Sequence, residues 1–332
     1  MSNMIRSVAT VFNWKSFTKL EVKFWGLAAA AGMVVLGCSL IGFGARFGWL
    51  FELTSHFRLQ YAIFLFLLGA AFVLHKAILP ALLFFAGTLI NLVPIAPYLL
   101  PASPPGHTDA PPLRLLLINV RSANADYAGV LSMVEAIEPA ILLLEEINPR
   151  WLLHLDPLRA SHPFGIREPR DDDFGIALFS RIPLDHARIT YLGKAEVPSV
   201  EVEFTLAGRR VLLIGTHPVP PGNPVNFHLR NEQLQAVAER IAGWTGPAIL
   251  LGDLNTTPYS PYFGGLLRAA RLHDSARGFG PHGTWPEFPE PFRIPLDHCL
   301  ISKDFVVLDR KIGPRLGSDH LPLMIHLSLP SR

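Results

Sequence analysis

Two polar side chains suited to catalysis follow a short apolar run in the C-terminal half of the chain. The run reads ILLGDLN at positions 249–255, so Asp253 and Asn255 are two residues apart. Alternate residues of a strand point the same way, which places both side chains together where the strand ends. The pair therefore offers a general base beside an uncharged amide. The alternative is an ordinary turn, because Asp and Asn are favoured there.

Further polar side chains stand at the ends of other apolar runs. Glu145 and Glu146 follow one such run, and His217 follows another. Asn119, Asp297 and the SDH triplet at 318–320 have similar positions. We expect the fold to bring these strand ends together into one site that carries acids, amides and imidazoles.

Six of these short motifs, taken in order, resemble the endonuclease/exonuclease/phosphatase superfamily. That superfamily includes DNase-like nucleases, inositol polyphosphate phosphatases and neutral sphingomyelinases. The motifs are LINV at 117–120, LEEI at 144–147, GTH at 215–217, GDLN at 252–255, LDH at 296–298 and GSDH at 317–320. Each is weak alone, but six in order are specific, and the resemblance spans residues 112–330. The apolar N-terminal segments further resemble a membrane-anchored bacterial branch.

The resemblance implies a site for a divalent cation. Glu146 would be the principal ligand, with Asn119 and Asp319 close to it. Mg²⁺ is expected, with Mn²⁺ or Ca²⁺ as alternatives, since hard cations prefer oxygen ligands. Arg121 stands where some family nucleases carry an acid, which favours one ion over two. Glu145 stands where the family often has Gln, so it is not assigned to the metal.

The resemblance also implies a catalytic set for in-line attack of water on phosphorus. Asp253 would orient or deprotonate the water, and Asn255 would donate a hydrogen bond to the phosphate. His320 would contact a phosphoryl oxygen, with Asp297 fixing its tautomer and supporting its charge. His217 would donate to the phosphate or the leaving group.

Composition divides the chain into two unlike parts. The 332 residues are 50% hydrophobic, and long apolar runs concentrate within 24–100. Residues 1–110 hold seven Lys and Arg against three Asp and Glu, a balance of +4, whereas the remainder balances at −2. The slightly acidic C-terminal part argues against strong nonspecific binding of nucleic acid.

The N-terminal part is predicted to cross a membrane. We divide the chain into a cytoplasmic tail (1–23), a membrane domain (24–100), a proline-rich linker (101–111) and a catalytic domain (112–332). Apolar runs at 24–44, 59–74 and 77–100 suggest about three transmembrane helices; one span with a buried hydrophobic hairpin is the alternative. Five cations share one side of a three-span arrangement, namely Arg6, Lys15, Lys19, Lys23 and Lys76. The positive-inside rule then predicts a multi-pass protein of the bacterial inner membrane with a periplasmic catalytic domain.

The C-terminal part is predicted to be an α/β (α+β) domain: a two-layer β-sandwich flanked by helices, the DNase-like fold. Helical periodicity marks 127–137 and 227–242. Strand patterns occur at 114–120, 140–144, 176–179, 200–206, 211–215, 248–251, 299–301, 305–308 and 321–327. This many strands with few helices is typical of a sandwich.

The sequence therefore predicts a membrane-anchored, metal-dependent phosphoesterase acting on a phosphodiester or phosphomonoester, with a lipid headgroup as an attractive substrate. A nuclease is the alternative enzyme, although nucleic acid is not favoured as a partner. A non-catalytic membrane scaffold is the second alternative. The aromatic, proline-rich segment 281–292 is expected to overhang the site or to pack on itself. Nothing in the sequence fixes the oligomeric state.

Overall fold

The N-terminal part of the molecule is helical. The computed structural model describes residues 23–101 and 112–330. Its first helices are α1 (Phe24–Ile41), α2 (Trp49–Ser55), α3 (Arg58–Leu74) and α4 (Ile78–Leu99), with a 3-10 helix, Gly42–Phe47, between α1 and α2.

The C-terminal part alternates strands and helices. Its strands are β1 (Leu113–Asn119), β2 (Ile141–Glu145), β3 (Phe164–Glu168), β4 (Ile176–Ser180), β5 (His186–Tyr191), β6 (Pro198–Leu206), β7 (Arg209–Thr216), β8 (Ala248–Asp253), β9 (Leu272–Asp274), β10 (Asp297–Ser302), β11 (Val306–Ile312) and β12 (Leu323–Ser328). Its helices are α5 (Tyr127–Ile137), α6 (Pro149–His154), α7 (Leu158–Ser161), α8 (Pro224–Ala242) and α9 (Pro261–Ala270), and a further 3-10 turn spans Glu290–Phe292.

These strands form two six-stranded mixed sheets packed face to face. The orders are β11-β12-β1-β2-β4-β3 and β5-β6-β7-β8-β10-β9. Leu115 and Leu117 of β1 face the core between the sheets, whereas Leu116 and Ile118 face outward under the helices. Because helices cover both outer faces, the central strands are apolar on both sides. The predicted sandwich flanked by helices is confirmed.

The strand directions bring the polar motifs to one edge. β1 and β2 run parallel, as do β7 and β8, so their carboxyl ends point the same way. β12 runs antiparallel to β1 and β10 antiparallel to β8, so the beginnings of these strands reach the same edge. Asn119 lies opposite Glu145 in one sheet, and Asp253 lies opposite Asp297 in the other.

Three strands were absent from the sequence-based prediction. They are β3, β5 and β9, and each stands at the edge of its sheet. β5 has mostly exposed side chains and β3 mostly half-buried ones, which leaves no apolar run to recognise. Helix α8 begins three residues earlier than predicted, because Asn223 caps it by accepting the Asn226 amide and Pro224 suits its first turn.

The helical part is compatible with membrane insertion. Within residues 23–101 and 112–330, two segments are long and apolar enough to span a bilayer, Phe24–Phe47 and Ile78–Leu99. Helices α2 and α3 pass the same test only when taken together, as one span that is broken by a bend of 61°. The predicted 59–74 segment corresponds to α3. The number of spans and the domain boundaries remain predictions, and the tail 1–22 and linker 102–111 lie outside the described residues.

A buried polar contact holds the three long helices together. The Arg58 guanidinium of α3 donates to the Ser39 carbonyl of α1 at 2.7 Å and to Asn91 Oδ1 of α4 at 3.2 Å. The Asn91 amide donates in turn to Ser39 Oγ at 2.7 Å. These bonds lie near the catalytic end of the bundle and satisfy a charge that burial alone would disfavour.

Candidate active site

The catalytic edge of the sandwich opens into one cavity of about 430 Å³. Six of the eight predicted site residues line it directly: Glu146, His217, Asp253, Asn255, Asp319 and His320. The other two contact those residues from behind. Asn119 donates to Glu146, and Asp297 lies against His320. The structure therefore brings all eight predicted residues into one site.

Three residues at this edge adopt left-handed backbone conformations. The φ angles of Arg121, Glu146 and Asn255 are 58°, 59° and 47°. Each follows the end of a strand by one or two residues, and this conformation is uncommon for residues other than glycine. Such strain often occurs at functional sites. Here it turns each chain sharply as it leaves its sheet.

His320 lies between two carboxylates. Its Nδ1 is 2.8 Å from Asp297 Oδ2, and its Nε2 is 3.5 Å from Asp253 Oδ2. Burial disfavours the charged imidazole, but the carboxylates of Asp297 and Asp253 outweigh this and raise the pKa of His320 to about 10. The same contact lowers the pKa of Asp297, although burial opposes it. His320 is therefore a cation at neutral pH, with Asp297 as its counter-ion.

Asp253 is a buried carboxylate with a basic character. Burial raises its pKa to about 7, even though the His320 imidazolium lowers it. Its backbone N–H donates to Glu145 at 3.0 Å, and its Oδ1 accepts the Asn255 amide at 2.8 Å. A carboxylate with a pKa near the working pH can accept a proton and release it again, as a general base requires.

His217 lies on the other side of Asp253. Its Nε2 is 3.6 Å from Asp253 Oδ2, and its ring centre is 5.6 Å from that of Phe174. Burial, reinforced by the charge on His320, lowers the pKa of His217 to about 4. Its Nδ1 is buried and, among the described residues, makes no hydrogen bond. His217 is thus neutral at pH 7, with one ring nitrogen available to a ligand.

Asn255 is held by two backbone contacts. Its Nδ2 donates to the Pro218 carbonyl at 2.9 Å, and its own carbonyl accepts a hydrogen bond from Arg230 at 2.6 Å. An amide nitrogen carries two hydrogens, so one donor remains for a substrate oxygen. Arg230 lies on α8 and is fully buried, which makes the Asn255 loop part of the core.

Carboxylates gather on the opposite wall of the cavity. Asn119 Nδ2 donates to Glu146 Oε1 at 2.8 Å, while Asn119 Oδ1 accepts the Arg121 backbone amide. Trp285 Nε1 donates to Asp319 Oδ2 at 3.2 Å, and the Arg121 guanidinium lies 3.9 Å from Asp319 Oδ1. Asn119 therefore orients Glu146 in this arrangement, and its part as a direct ligand remains a prediction.

This wall suits a divalent cation. Burial raises the pKa of Glu146, and the neighbouring carboxylates of Asp173 and Asp319 add to that effect. A bound cation would relieve both costs, since Mg²⁺ and Ca²⁺ favour carboxylate oxygens. A second group, Asp253, Asp297 and His320, has potential ligand atoms within 4.8 Å of one another. We assign this group to the Asp297–His320 ion pair and not to a metal, because His320 Nδ1 is already hydrogen-bonded to Asp297.

Several cavity residues were missed or dismissed at the level of sequence. Glu145 was not assigned a role, yet its buried carboxylate accepts the Asp253 backbone amide. Asp173 is exposed and also lines the cavity. Trp285 confirms that the segment 281–292 reaches the site. Leu53 and Phe57, at either end of the α2–α3 bend in the helical part, also line the cavity. No local pattern in the sequence signals these contacts.

Comparisons with solved structures find the same fold. An endonuclease/exonuclease/phosphatase from Beutenbergia cavernae DSM 12333 is 23% identical with a TM-score of 0.54, covering 66% of this chain and 72% of that one. A Bacteroides thetaiotaomicron mannosyl-6-phosphatase is 23% identical with a TM-score of 0.52 (65% and 99% covered). D. rerio TDP2, complexed with single-strand DNA product, is 16% identical with a TM-score of 0.56 (65% and 99%).

The sequence itself provides the stronger result. No curated protein matches it closely enough to count as a relative. Residues 116–320, however, match the model of the Endonuclease/Exonuclease/phosphatase family, which spans all six motifs around the cavity. The chain therefore belongs to the endonuclease/exonuclease/phosphatase family, whose members are phosphoester hydrolases.

Proposed function

We propose that this protein is a membrane-anchored, metal-dependent phosphoesterase that hydrolyses a phosphodiester or phosphomonoester by in-line attack of water. One observation carries the proposal. A general base with a pKa of about 7, Asp253, lies 3.5 Å from an imidazolium, His320, in a cavity that the carboxylates of Glu146 and Asp319 also line. A degenerate scaffold would have no reason to retain this combination of a base, a cation and ligand carboxylates.

The proposed reaction is a simple displacement. A water oxygen forms a bond to phosphorus as the ester P–O bond opposite it breaks. Asp253 accepts the proton that the water loses, and the departing oxygen takes up a proton from the site or from solvent. General-base assistance of this kind contributes about 10²–10⁴-fold to the rate.

The charge that develops on the phosphoryl oxygens needs fixed partners. His320 supplies a full positive charge, and Asp297 holds the orientation of the imidazole ring through Nδ1. Asn255 and neutral His217 supply one hydrogen-bond donor each. Such preorganised groups act strongly in a site that excludes water.

Glu146 and Asp319 are the residues that would hold a single Mg²⁺ or Mn²⁺, with Asn119 fixing Glu146 from behind. A bound cation would neutralise charge on a phosphate oxygen. Arg121 contacts the same Asp319, which favours one ion, because a guanidinium occupies space near a second cation.

We also propose that the catalytic domain lies outside the cytoplasm, on the periplasmic face of a bacterial inner membrane. The start of α3 and the end of α4 both contact the catalytic domain, through Gln60 to the Arg293 carbonyl and through Gly278 to the Pro97 carbonyl. Lys23 and Lys76 lie at the opposite helix ends, and the positive-inside rule assigns that side to the cytoplasm.

The test is metal-dependent turnover by the purified full-length protein in detergent. We expect hydrolysis of bis-p-nitrophenyl phosphate with Mg²⁺ or Mn²⁺, and loss of activity with EDTA and in Asp253→Asn. Asp156→Asn, at an exposed ion pair with Arg159, is the matched control. Activity equal in wild type and Asp253→Asn would favour a scaffold, and cleavage of plasmid DNA alone would favour a nuclease.

A further inference from the structure

The short helix α2 is built into the catalytic domain and is not merely adjacent to it. Glu52 of α2 is fully buried and pairs with the equally buried Arg230 of α8. The same carboxylate accepts the Ser260 hydroxyl at the start of α9. His56 Nδ1 then contacts Thr257 Oγ1 at 2.9 Å. These buried polar contacts fix the α2–α3 bend against the loop that follows β8.

This interlock reaches the catalytic groups directly. Arg230 uses one nitrogen for Glu52 and another for the Asn255 carbonyl. A carboxylate from the helical part of the chain is therefore one side chain away from a predicted phosphate-binding residue. The position of α2 and the geometry of the catalytic loop are coupled through a single guanidinium.

With α2 fixed in this way, its side chains complete the catalytic cavity. The lining of the cavity has a polar part, which includes Glu146, Asp253 and His320. Its apolar part includes Leu53, Phe57, Pro220, Pro221, Ile294 and Leu296. A free sugar phosphate or an inorganic anion would leave such a wall exposed to water, whereas a hydrocarbon group would cover it.

The apolar wall continues into a helix that resembles a membrane segment. Phe57 immediately precedes α3, whose outward side chains include the exposed Ile63, Phe66 and Leu67. If α3 lies in a bilayer, Leu53 and Phe57 are near the level where lipid chains meet their headgroups, because Phe57 immediately precedes α3. The apolar part of the cavity lining then adjoins the membrane surface.

From these observations we propose that α2 forms a hydrocarbon subsite of the active site, and that the substrate is a lipid phosphoester whose chain lies against Leu53 and Phe57. This inference rests on the proposed phosphoesterase function and narrows its substrate class. The phosphate would lie beside the catalytic groups. The ester P–O bond opposite the attacking water would break, as in the reaction described above.

The test compares two esters with the same scissile bond and leaving group. Methyl p-nitrophenyl phosphate and hexadecyl p-nitrophenyl phosphate are supplied to the full-length protein in the same detergent micelles with Mg²⁺ or Mn²⁺. We expect kcat/KM to favour the hexadecyl ester by at least about tenfold, because several methylenes are buried. Leu53→Gln, and separately Phe57→Gln, should reduce that preference to about threefold or less.

Leu50→Gln is the matched control. Leu50 lies on the same helix, is 59% exposed and is outside the cavity lining. It should keep the preference for the long chain. Each variant is judged by the ratio of the two kcat/KM values, which does not depend on the folded fraction of the sample.

Different failures have different meanings. Equal kcat/KM for both esters in the wild type, or an equal loss of preference in Leu50→Gln, overturns the subsite while the phosphoesterase function stands. Hydrolysis of neither ester, nor of the monoester p-nitrophenyl phosphate, under any metal condition overturns both proposals, and cleavage of DNA in the same preparation then identifies a nuclease.

Discussion

The catalytic edge and helix α2 line the same cavity but are positioned by different physics. At the edge, Asp253 and Asp297 stand at the ends of neighbouring strands, and hydrogen-bonded register places them opposite each other. Helix α2 has no such register. It is held by the Glu52 ion pair with Arg230, residues 178 positions apart in the chain. Regular strand pairing thus positions the reactive groups, and a few long-range polar contacts add the apolar side chains of α2 to the same cavity.

Removal of the base at the catalytic edge is expected to have the largest effect on activity. Asp253→Asn keeps the shape of the side chain but cannot accept a proton, so we expect kcat to fall by about 10²–10⁴-fold. The measurement is steady-state hydrolysis of bis-p-nitrophenyl phosphate, with thermal unfolding as a check on folding. A fall of less than tenfold would mean that another group serves as the base.

Breaking the contact of α2 should affect stability more directly than chemistry. Glu52→Gln leaves the Arg230 charge buried without its counter-ion, which we expect to cost about 3–5 kcal/mol in the free energy of unfolding. Glu138→Gln, at a half-exposed ion pair, should change stability by less than about 1 kcal/mol. Thermal unfolding of the full chain in detergent provides the comparison.

A double variant sharpens that result. Glu52→Leu combined with Arg230→Met replaces the buried pair by apolar groups, and we expect most of the lost stability to return. Similar melting temperatures for Glu52→Gln and Glu138→Gln would show that α2 is only loosely attached, and the cavity wall would then not be a fixed part of the site.

The pH dependence of kcat/KM should report the ionisation of Asp253 and His320. Asp253 must be deprotonated, and burial raises its pKa to about 7, so kcat/KM should rise as pH increases through about 7. His320 must be protonated, and its carboxylate neighbours raise its pKa to about 10, so activity should fall above that pH. A bound cation would shift the acidic limb downward, because positive charge favours the Asp253 carboxylate.

Asp297→Asn tests whether the basic limb of the pH profile belongs to His320. It removes one of the carboxylates that raise the pKa of His320, so the basic limb should move to lower pH. Activity near pH 7 should fall by about tenfold, less than in Asp253→Asn, because the imidazole remains in place. An unchanged basic limb would argue that His320 does not titrate in the reaction.

The smallest effect is expected at Arg121. Its guanidinium is half-exposed and lies 3.9 Å from Asp319, so the ion pair contributes at most about 1 kcal/mol. Arg121→Gln should change kcat/KM by less than about threefold and leave Mg²⁺ affinity similar. A large gain in Mg²⁺ affinity, measured by metal titration of activity, would show that the guanidinium competes with the single proposed ion for Asp319.

Local sequence patterns were enough to predict the sandwich and the residue types at its catalytic edge. Short continuous apolar runs predicted the buried strands, and polar residues at their ends identified Asp253, Asn255 and the other site residues, because both signals are local. The edge strands β3 and β5 were missed for the same reason. Their side chains are largely outside the core, so no apolar pattern records them.

The contact between the helical part and the catalytic part could not be predicted from local sequence, because it joins segments that are far apart in the chain. A glutamate in an apolar stretch gives no indication of its partner, and the Glu52–Arg230 contact depends on the folded positions of α2 and α8. The pKa values of Asp253 and His320 likewise follow from burial and from charges on distant strands. Residue types fix which chemistry is available, whereas the distances and the solvent exclusion that enable it arise when remote segments pack together.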